Sequence, residues 1–331
     1  MALGATFSGE PYRYEGEPVD YILQAFLGDR SLLSRLEDHG YHTTGLLHQV
    51  YPTVSTTPFD RTLQHIRYGD FGGSTDQAQL FTALWMEGNL PESIVERLVP
   101  PNLLDMLRAQ TLLPASYGYY SVLSLRRYLA DESTWASNVP RYVFIHMIVP
   151  HEPIALDEDC SESESEDLTI EGQARCAVNL LIELVEALKR EGRFDDSLII
   201  AHGDHGSRYA RHGRTLVPIG SDTRLAWQEA RSRPLLLVKP AGENASMPLR
   251  EDLRPADLYD IYPTILAAAG LERGGVAIGS SLTQAAPADR ARDYHFYKKD
   301  PNDDRLIDGD IARYRVTSDG PVFDRNIPIR R

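Results

Sequence analysis

Residues 197–214 read SLIIAHGDHGSRYARHGR, and this segment decides the fold class. Residues 198–201 are apolar throughout instead of alternating, which is typical of a parallel strand covered on both faces. The run is followed by GDHG, residues 203–206. In open α/β sheets, ligands bind just beyond the carboxyl ends of strands. The segment therefore predicts a buried strand that delivers the carboxylate of Asp204 and the imidazole of His205 to a ligand site.

Two further apolar runs and a long helix extend this pattern. Residues 142–149 and 235–238 are also predicted to be buried parallel strands. A helix between residues 142–149 and 198–201 is indicated by apolar residues that recur at helical spacing, namely Ala177, Leu181, Leu184, Val185 and Leu188. Strand, helix and strand form a βαβ unit with a right-handed crossover. We predict an α/β fold, a three-layer α/β/α sandwich with a mainly parallel sheet.

The rest of the chain gives coarser predictions. Residues 31–40 should hold a short amphipathic helical turn, residues 43–50 an extended segment, residues 76–130 mainly helices, and residues 263–270 a short apolar helix. The polar segment from residue 291 could form a small terminal sheet. We assign residues 1–290 to one catalytic domain and residues 291–331 to an extension of the same domain.

Composition limits the classes of partner and compartment. The formal net charge is −14, which argues against a nucleic-acid binder but not against a small anionic substrate. No apolar stretch reaches the roughly 20 residues of a membrane span, and the start lacks a signal-peptide pattern. As written, the chain is predicted to be soluble and cytoplasmic. Cys160 and Cys176 leave a disulfide and two free thiols equally open.

The candidate site chemistry is that of a divalent metal. Asp204 and His205 are suitable ligands for zinc or a similar ion, although a tight turn would use the same residues. His212 follows seven residues later among arginines that suit an oxyanion such as phosphate or sulfate, including Arg208 and Arg211. The alternative interpretation of that stretch is an exposed basic loop.

A second histidine follows another strand. Residues 150–153 read PHEP, so His151 lies beyond the end of the predicted strand 142–149, in a loop stiffened by two prolines. His146 and His202 lie inside predicted strands and are interpreted as hydrogen-bonded core histidines. The acidic stretch 157–167 is either a solvated loop or a rim that selects a cationic group of the substrate.

Four segments together resemble the sulfatase-like branch of the alkaline phosphatase superfamily, which includes arylsulfatases, lipoteichoic-acid synthases and phosphoethanolamine transferases. In chain order they are SLLSRLEDHGYHTTGL (31–46), FIHMIVPHEP (144–153), SLIIAHGDHGSRYARHG (197–213) and DLYDIYPTILAAAGL (257–271). The resemblance implies an alkaline-phosphatase-like fold. It also implies that Asp204 and His205 are metal ligands, that His151 contacts the ester's oxygens or a second metal, and that His212 joins the site.

The chain departs from the family at its start. Residues 2–12, ALGATFSGEPY, look like the end of the helix that begins with the family's Thr, Ser or Cys nucleophile. On that alignment, the nucleophile and the first acidic metal ligand would lie at or before residue 1. We therefore expect the chain to start inside the catalytic domain. If a longer form exists, we expect that form to be membrane-anchored or extracytoplasmic. Thr6 and Ser8 lie too late on the helix to align.

The resemblance implies a metal-dependent hydrolase or transferase of sulfate or phosphate esters. His151 and His212 would be catalytic, Arg208 and Arg211 would bind the substrate, and zinc, manganese or calcium would be the cofactor. The substrate would be an anionic small molecule, lipid or glycan ester. The alternative is an inactive metal-binding remnant of such an enzyme. A further alternative is an enzyme that uses Ser74 or Thr75 as its nucleophile, although FGGSTD is more simply a loop in which Asp76 caps the next helix.

Overall fold

A computed structural model of the protein describes most of the chain, and the description below is confined to those residues. They are residues 2–10, 12, 18–47, 59–64, 116–136, 138–151, 154–163, 168–207, 209–212, 215–218, 230–244, 246–272, 278–284, 290, 292–299, 307–317 and 320–327. The predicted helices over 76–115, and the candidates Arg208, Ser74 and Thr75, lie outside the described residues.

The described helices include every one that the sequence pattern predicted within these ranges. They are α1 (Ala2–Ser8), α2 (Pro18–Leu27), α3 (Leu32–Glu37), α4 (Ser116–Ala130), α5 (Ile170–Arg190) and α6 (Ile261–Ala268). The long helix α5 begins at the N-cap Thr169, whose side chain accepts a hydrogen bond from the N–H of Gly172. Among the described helices, none combines the length and apolar character that crossing a membrane requires.

The described strands form separate small sheets. They are β1 (His42–Leu47), β2 (Arg61–Gln64), β3 (Arg141–Ile145), β4 (Ile199–His202), β5 (Tyr209–His212), β6 (Thr215–Pro218), β7 (Leu236–Lys239), β8 (Arg292–Lys299), β9 (Ile307–Thr317) and β10 (Gly320–Ile327). The main sheet has the order β2-β1-β3, and both of its pairings are parallel. Strands β4 and β7 pair with each other, as do β5 and β6.

The prediction for residues 235–238 was wrong in one respect. They form most of strand β7, as expected, but β7 runs antiparallel to β4, with Ile200 opposite Val238. The strand predicted over residues 198–201 was also expected to pair in parallel, and its described pairing is this antiparallel one. An apolar run indicates a strand covered by other elements but carries no signal for its direction, because direction is set by the connection to the neighbouring strand. The parallel pairings of the main sheet are confirmed.

Helices cover both faces of the main sheet. Leu47 of β1 lies in a buried cluster with residues of α1, α2, α3 and α6, and Phe144 of β3 packs against it. Leu46 lies in a second buried cluster with residues of α4 and α5, and Ile145 of β3 packs against that one. Successive strand residues point to opposite faces of a sheet, so the clusters lie on its two sides. This confirms the predicted α/β/α layering.

The sequence left two features outside the main sheet undecided. Cys160 and Cys176 form a disulfide, which ties the acidic loop to α5, and Glu158 of that loop pairs with Arg175. The C-terminal segment forms a three-stranded antiparallel sheet of β8, β9 and β10. The division into a catalytic domain and an extension stays a prediction.

Candidate metal and ester site

Asp204 and His205 lie in the turn that follows β4, as predicted. The Nδ1 of His205 is 2.7 Å from the carbonyl oxygen of Gly206. A carbonyl oxygen only accepts hydrogen bonds, so Nδ1 carries the proton and Nε2 keeps its lone pair. Metal-binding histidines generally donate their other ring N–H in this way. The structure therefore presents Nε2 of His205 as a ready ligand atom.

The carboxylate of Asp204 lies beside that ligand atom. Its Oδ1 is 3.8 Å from Nε2 of His205, and the Asp204 side chain is 59% exposed against 31% for His205. Two ligands at about 2.0–2.2 Å from one zinc ion can be at most about 4.4 Å apart. The observed separation thus fits two ligands of one divalent ion. Within the described residues, no group of three or more His, Cys, Asp or Glu side chains completes a metal cage.

Close backbone packing fixes the turn that carries these two residues. The N–H of Gly206 donates to the carbonyl of Arg231 at 2.8 Å. A Cβ at position 206 would overlap the carbonyl oxygen of Ala230 and lie 2.8 Å from that of Arg233. Glycine is required here because the two backbone segments touch. Residues 230–233, which precede β7, therefore hold the turn in place.

His151 lies in the loop after β3, also as predicted, and its side chain is exposed. The loop is held by Gln173 of α5, which is 2% exposed. Its Nε2 donates to the carbonyl of His151 at 2.7 Å, and its Oε1 accepts the N–H groups of Ala155 and Leu156 at 2.9 and 3.0 Å. Sequence reasoning missed Gln173, although a glutamine on the buried face of a helix was a weak signal.

The two histidines interpreted as core residues lie at strand ends. The Nδ1 of His202 donates to the carbonyl of Gly203 at 3.0 Å, and burial lowers the pKa of His202. The backbone N–H of His146 donates to the carbonyl of Leu46 at 2.9 Å, and its ring stacks on Phe144. Both contacts are compatible with the core interpretation, which stays a prediction.

Within the basic stretch after GDHG, residues 209–212 form strand β5, which pairs antiparallel with β6 in a hairpin. Arg211 and His212 lie on β5, where His212 is the register partner of Thr215 on β6. The described backbone puts this hairpin directly after the Asp204 turn. The roles of Arg211 and His212 in the site stay predictions.

The two hydroxyls near the chain start, Ser8 and Thr6, both lie on helix α1. Ser8 donates to the carbonyl of Gly4 at 2.8 Å and accepts the N–H of Glu10 at 3.1 Å. Its hydroxyl therefore ends helix α1. Thr6 is buried within the same helix.

One large cavity brings three of the predicted residues together. Its volume is about 1770 Å³, and its walls include His151, Asp204 and His205. The residues that follow β3 and those that follow β4 thus open onto one space. This is the arrangement expected of strands that carry a shared ligand site.

Comparisons with known proteins give the family. The Sulfatase family model matches residues 2–271. A lipoteichoic acid synthase from Staphylococcus saprophyticus is 29% identical over 152 residues, covering 44% of this chain and 22% of that protein. The chain therefore spans about a fifth of that curated relative.

Solved structures share the fold at low identity. An alkaline phosphatase superfamily protein from Vibrio parahaemolyticus has a TM-score of 0.51 at 17% identity, over 94% of this chain and 64% of that one. A phosphonate monoester hydrolase from Silicibacter pomeroyi has a TM-score of 0.51 at 14% identity, over 95% and 75%. Because the Sulfatase family model matches residues 2–271 and the GDHG turn follows β4, the chain belongs to the sulfatase family.

Proposed function

We propose that this chain forms most of the active site of a metal-dependent hydrolase or transferase of sulfate or phosphate esters. The proposal is carried by the paired donors Asp204 Oδ1 and His205 Nε2, 3.8 Å apart at the carboxyl end of a strand. They lie on the wall of a cavity large enough for an ester substrate. The match to the Sulfatase family model supports the same class of reaction.

The two donors fit a hard or borderline divalent cation. One carboxylate and one imidazole suit zinc or manganese, whereas calcium prefers oxygen ligands alone. A cation held there would act as a Lewis acid on an ester oxygen. The protein's own contribution is to fix the ligand geometry, through the His205 to Gly206 hydrogen bond and the close packing behind Gly206.

The proposed role of His151 is to bind an oxygen of the transferring group or to protonate the leaving oxygen. The side chain of Gln173 positions the backbone of His151, so the exposed imidazole lies on a loop that a hydrogen bond holds in place. Preorganised donors of this kind stabilise charge that develops in the transition state. We extend the proposal to Arg208, Arg211 and His212 as groups that neutralise the anionic oxygens of the ester.

A second candidate function is that of a metal-binding domain without turnover. It is favoured by the small donor set within the described residues and by the helix-ending role of the Ser8 hydroxyl. The two candidates differ in one assay. An enzyme hydrolyses p-nitrophenyl sulfate or bis-p-nitrophenyl phosphate in a metal-dependent way, and a binding domain does not.

We infer the substrate class from the names of the matched relatives, and the compartment from the disulfide. The matched relatives include a lipoteichoic acid synthase and a phosphonate monoester hydrolase, which points to anionic ester substrates. Disulfides persist in oxidising compartments, so the Cys160–Cys176 bond favours an extracytoplasmic location for this domain over the cytoplasmic one.

The test is a calorimetric titration of the purified chain with Zn²⁺ and with Mn²⁺. We expect one site, weakened by about tenfold or more in Asp204→Ala and in His205→Ala. Asp29→Ala is the matched control, because Asp29 is an exposed carboxylate on another part of the chain. Equal binding by wild type and Asp204→Ala would refute the assignment of the metal ligands.

A further inference from the structure

Three arginines and two aspartates meet where the segment before α6 contacts the start of β8. Asp257 and Asp260 precede α6, Arg290 and Arg292 lie at the start of β8, and Arg233 precedes β7. Within the part of the chain that the structure describes, the other four side chains all act electrostatically on Arg292. The group therefore carries more positive than negative charge when every member is ionised.

Arg290 occupies both of these carboxylates. Its Nη1 is 2.5 Å from Oδ1 of Asp260, and its Nη2 is 3.2 Å from Oδ2 of Asp257. The Oδ2 of Asp260 accepts the backbone N–H of Asp257, and the Oδ1 of Asp257 accepts that of Tyr259, both at 2.9 Å. The described hydrogen bonds thus join both aspartates to Arg290 and to the backbone, and none joins either of them to Arg292.

The guanidinium of Arg292 has one edge without an acceptor among the described residues. Its Nη1 donates to the carbonyl oxygen of Ala256 at 2.9 Å. Its Nε is buried and has no hydrogen-bond partner in that part of the chain. Buried polar groups nearly always have a partner, so an exception on a charged side chain indicates an acceptor from outside the chain. The edge formed by Nε and Nη2 matches two oxygens of one anion.

A second guanidinium acts on the same edge of the cluster. Burial lowers the pKa of Arg292 most, and the positive charges of Arg233 and Arg290 lower it further, whereas Asp257 and Asp260 raise it. Arg290 is already paired with both aspartates, but Arg233 has an exposed side chain. Like charges that destabilise each other are both stabilised by an anion between them. The pair of Arg233 and Arg292 therefore favours an anionic ligand.

Arg233 also connects this cluster to the candidate metal site. It lies on the wall of the cavity that Asp204 and His205 line. A Cβ at Gly206 would lie 2.8 Å from the carbonyl oxygen of Arg233, so the backbone of Arg233 packs against the turn that carries both candidate ligands. An anion held by Arg233 would therefore lie beside the space that an ester substrate occupies.

We propose that Arg292 and Arg233 together bind a tetrahedral oxyanion, sulfate or phosphate, at the junction of β8 with the segments before β7 and α6. Arg292 provides the fork of Nε and Nη2, and Arg233 provides the second positive charge. The oxyanion is either a second anionic group of the substrate, remote from the ester that reacts, or a free inorganic anion. In both cases it joins the C-terminal sheet to the segment that supports the turn of Asp204.

The first experiment measures sulfate binding to the whole chain without divalent metal. Sodium sulfate is titrated in the presence of EDTA at constant ionic strength, and the ¹⁵N–¹H signal of Arg292 Nε is followed by NMR. We expect that signal to shift to saturation, because the Nε–H gains an acceptor. Without metal, the result is independent of whether Asp204 and His205 bind an ion. An Nε signal that does not respond to sulfate would overturn the proposal.

Variants of the two arginines locate the anion. Arg292→Lys keeps the positive charge but removes the fork, and Arg233→Met removes one charge from an exposed side chain. Each should weaken sulfate binding by about tenfold or more in calorimetry. Asp257→Asn removes a negative charge near Arg292 and should tighten binding severalfold. Arg250→Met is the matched control, because Arg250 is 64% exposed and pairs with Glu243. Equal sulfate binding by Arg250→Met and Arg233→Met would refute the assignment.

Bisphosphates distinguish the two sources of the oxyanion. Alkanediol bisphosphates of increasing length are compared with ethyl phosphate on the Zn²⁺-loaded chain. The substrate as source, which rests on the proposed function, predicts that one length binds about tenfold more tightly than ethyl phosphate and that Arg292→Lys loses this gain. Equal affinities at every length, with sulfate binding retained, would assign the site to a free oxyanion. A gain that persists in Arg292→Lys would contradict the proposal.

Discussion

Replacing Gln173 with methionine tests how the loop of His151 is held. The change keeps the length of the side chain and its place in the buried face of α5, but removes both polar atoms. Three hydrogen bonds to the backbone of residues 151–156 are then lost. Each contributes about 1 kcal/mol net, so we expect a loss of about 3 kcal/mol in the free energy of unfolding. That corresponds to roughly a 150-fold change in the unfolding equilibrium.

The assay is urea denaturation combined with amide exchange. Exchange at Ala155 and Leu156 should accelerate in Gln173→Met, because their N–H groups lose the Oε1 acceptor. Gln24→Met is the control, since Gln24 is an exposed glutamine on α2. A stability within about 0.5 kcal/mol of wild type, with unchanged exchange at both amides, would refute the role given to Gln173.

Three further predictions concern stability. Burial, with Asp260 nearby, raises the pKa of Asp257 from 3.8 to about 6, so the folded state binds the proton of this carboxyl more tightly than the unfolded state does. The free energy of unfolding should therefore fall by up to about 3 kcal/mol as pH rises from 4 to 6. Urea titrations of Asp257→Asn should show a flatter dependence on pH. Reducing the disulfide, which links residues 16 positions apart, should cost about 3 kcal/mol, and dithiothreitol should leave a double alanine variant of the two cysteines unchanged. Gly206→Ala should lower the thermal midpoint by several degrees through its clash with Ala230, whereas Gly118→Ala, with ordinary contacts, should not.

The features that the sequence predicted correctly are local ones. The strand before GDHG and the helix α5 follow from apolar runs and helical spacing, which depend only on neighbouring residues. The positions of Asp204, His205 and His151 after their strands follow from the same patterns. Their convergence on one cavity follows from the general rule that ligands bind at strand carboxyl ends.

The features that the sequence could not predict depend on tertiary contacts. Nothing in residues 236–239 encodes that β7 runs antiparallel to β4. The three hydrogen bonds of Gln173 depend on a loop 17 to 22 residues away. The pairing of β5 with β6 did leave a local signal, since only two residues, one of them a glycine, separate the paired His212 and Thr215 in the sequence.

Anomalous X-ray scattering from crystals soaked in Zn²⁺ tests the claim that Asp204 and His205 bind one divalent ion. We expect a peak about 2.0–2.2 Å from a carboxylate oxygen of Asp204 and from Nε2 of His205, with the His205 to Gly206 hydrogen bond intact. The peak should be absent from crystals of Asp204→Ala. A zinc peak only at other surface carboxylates, or bonded to Nδ1 of His205, would contradict the claim.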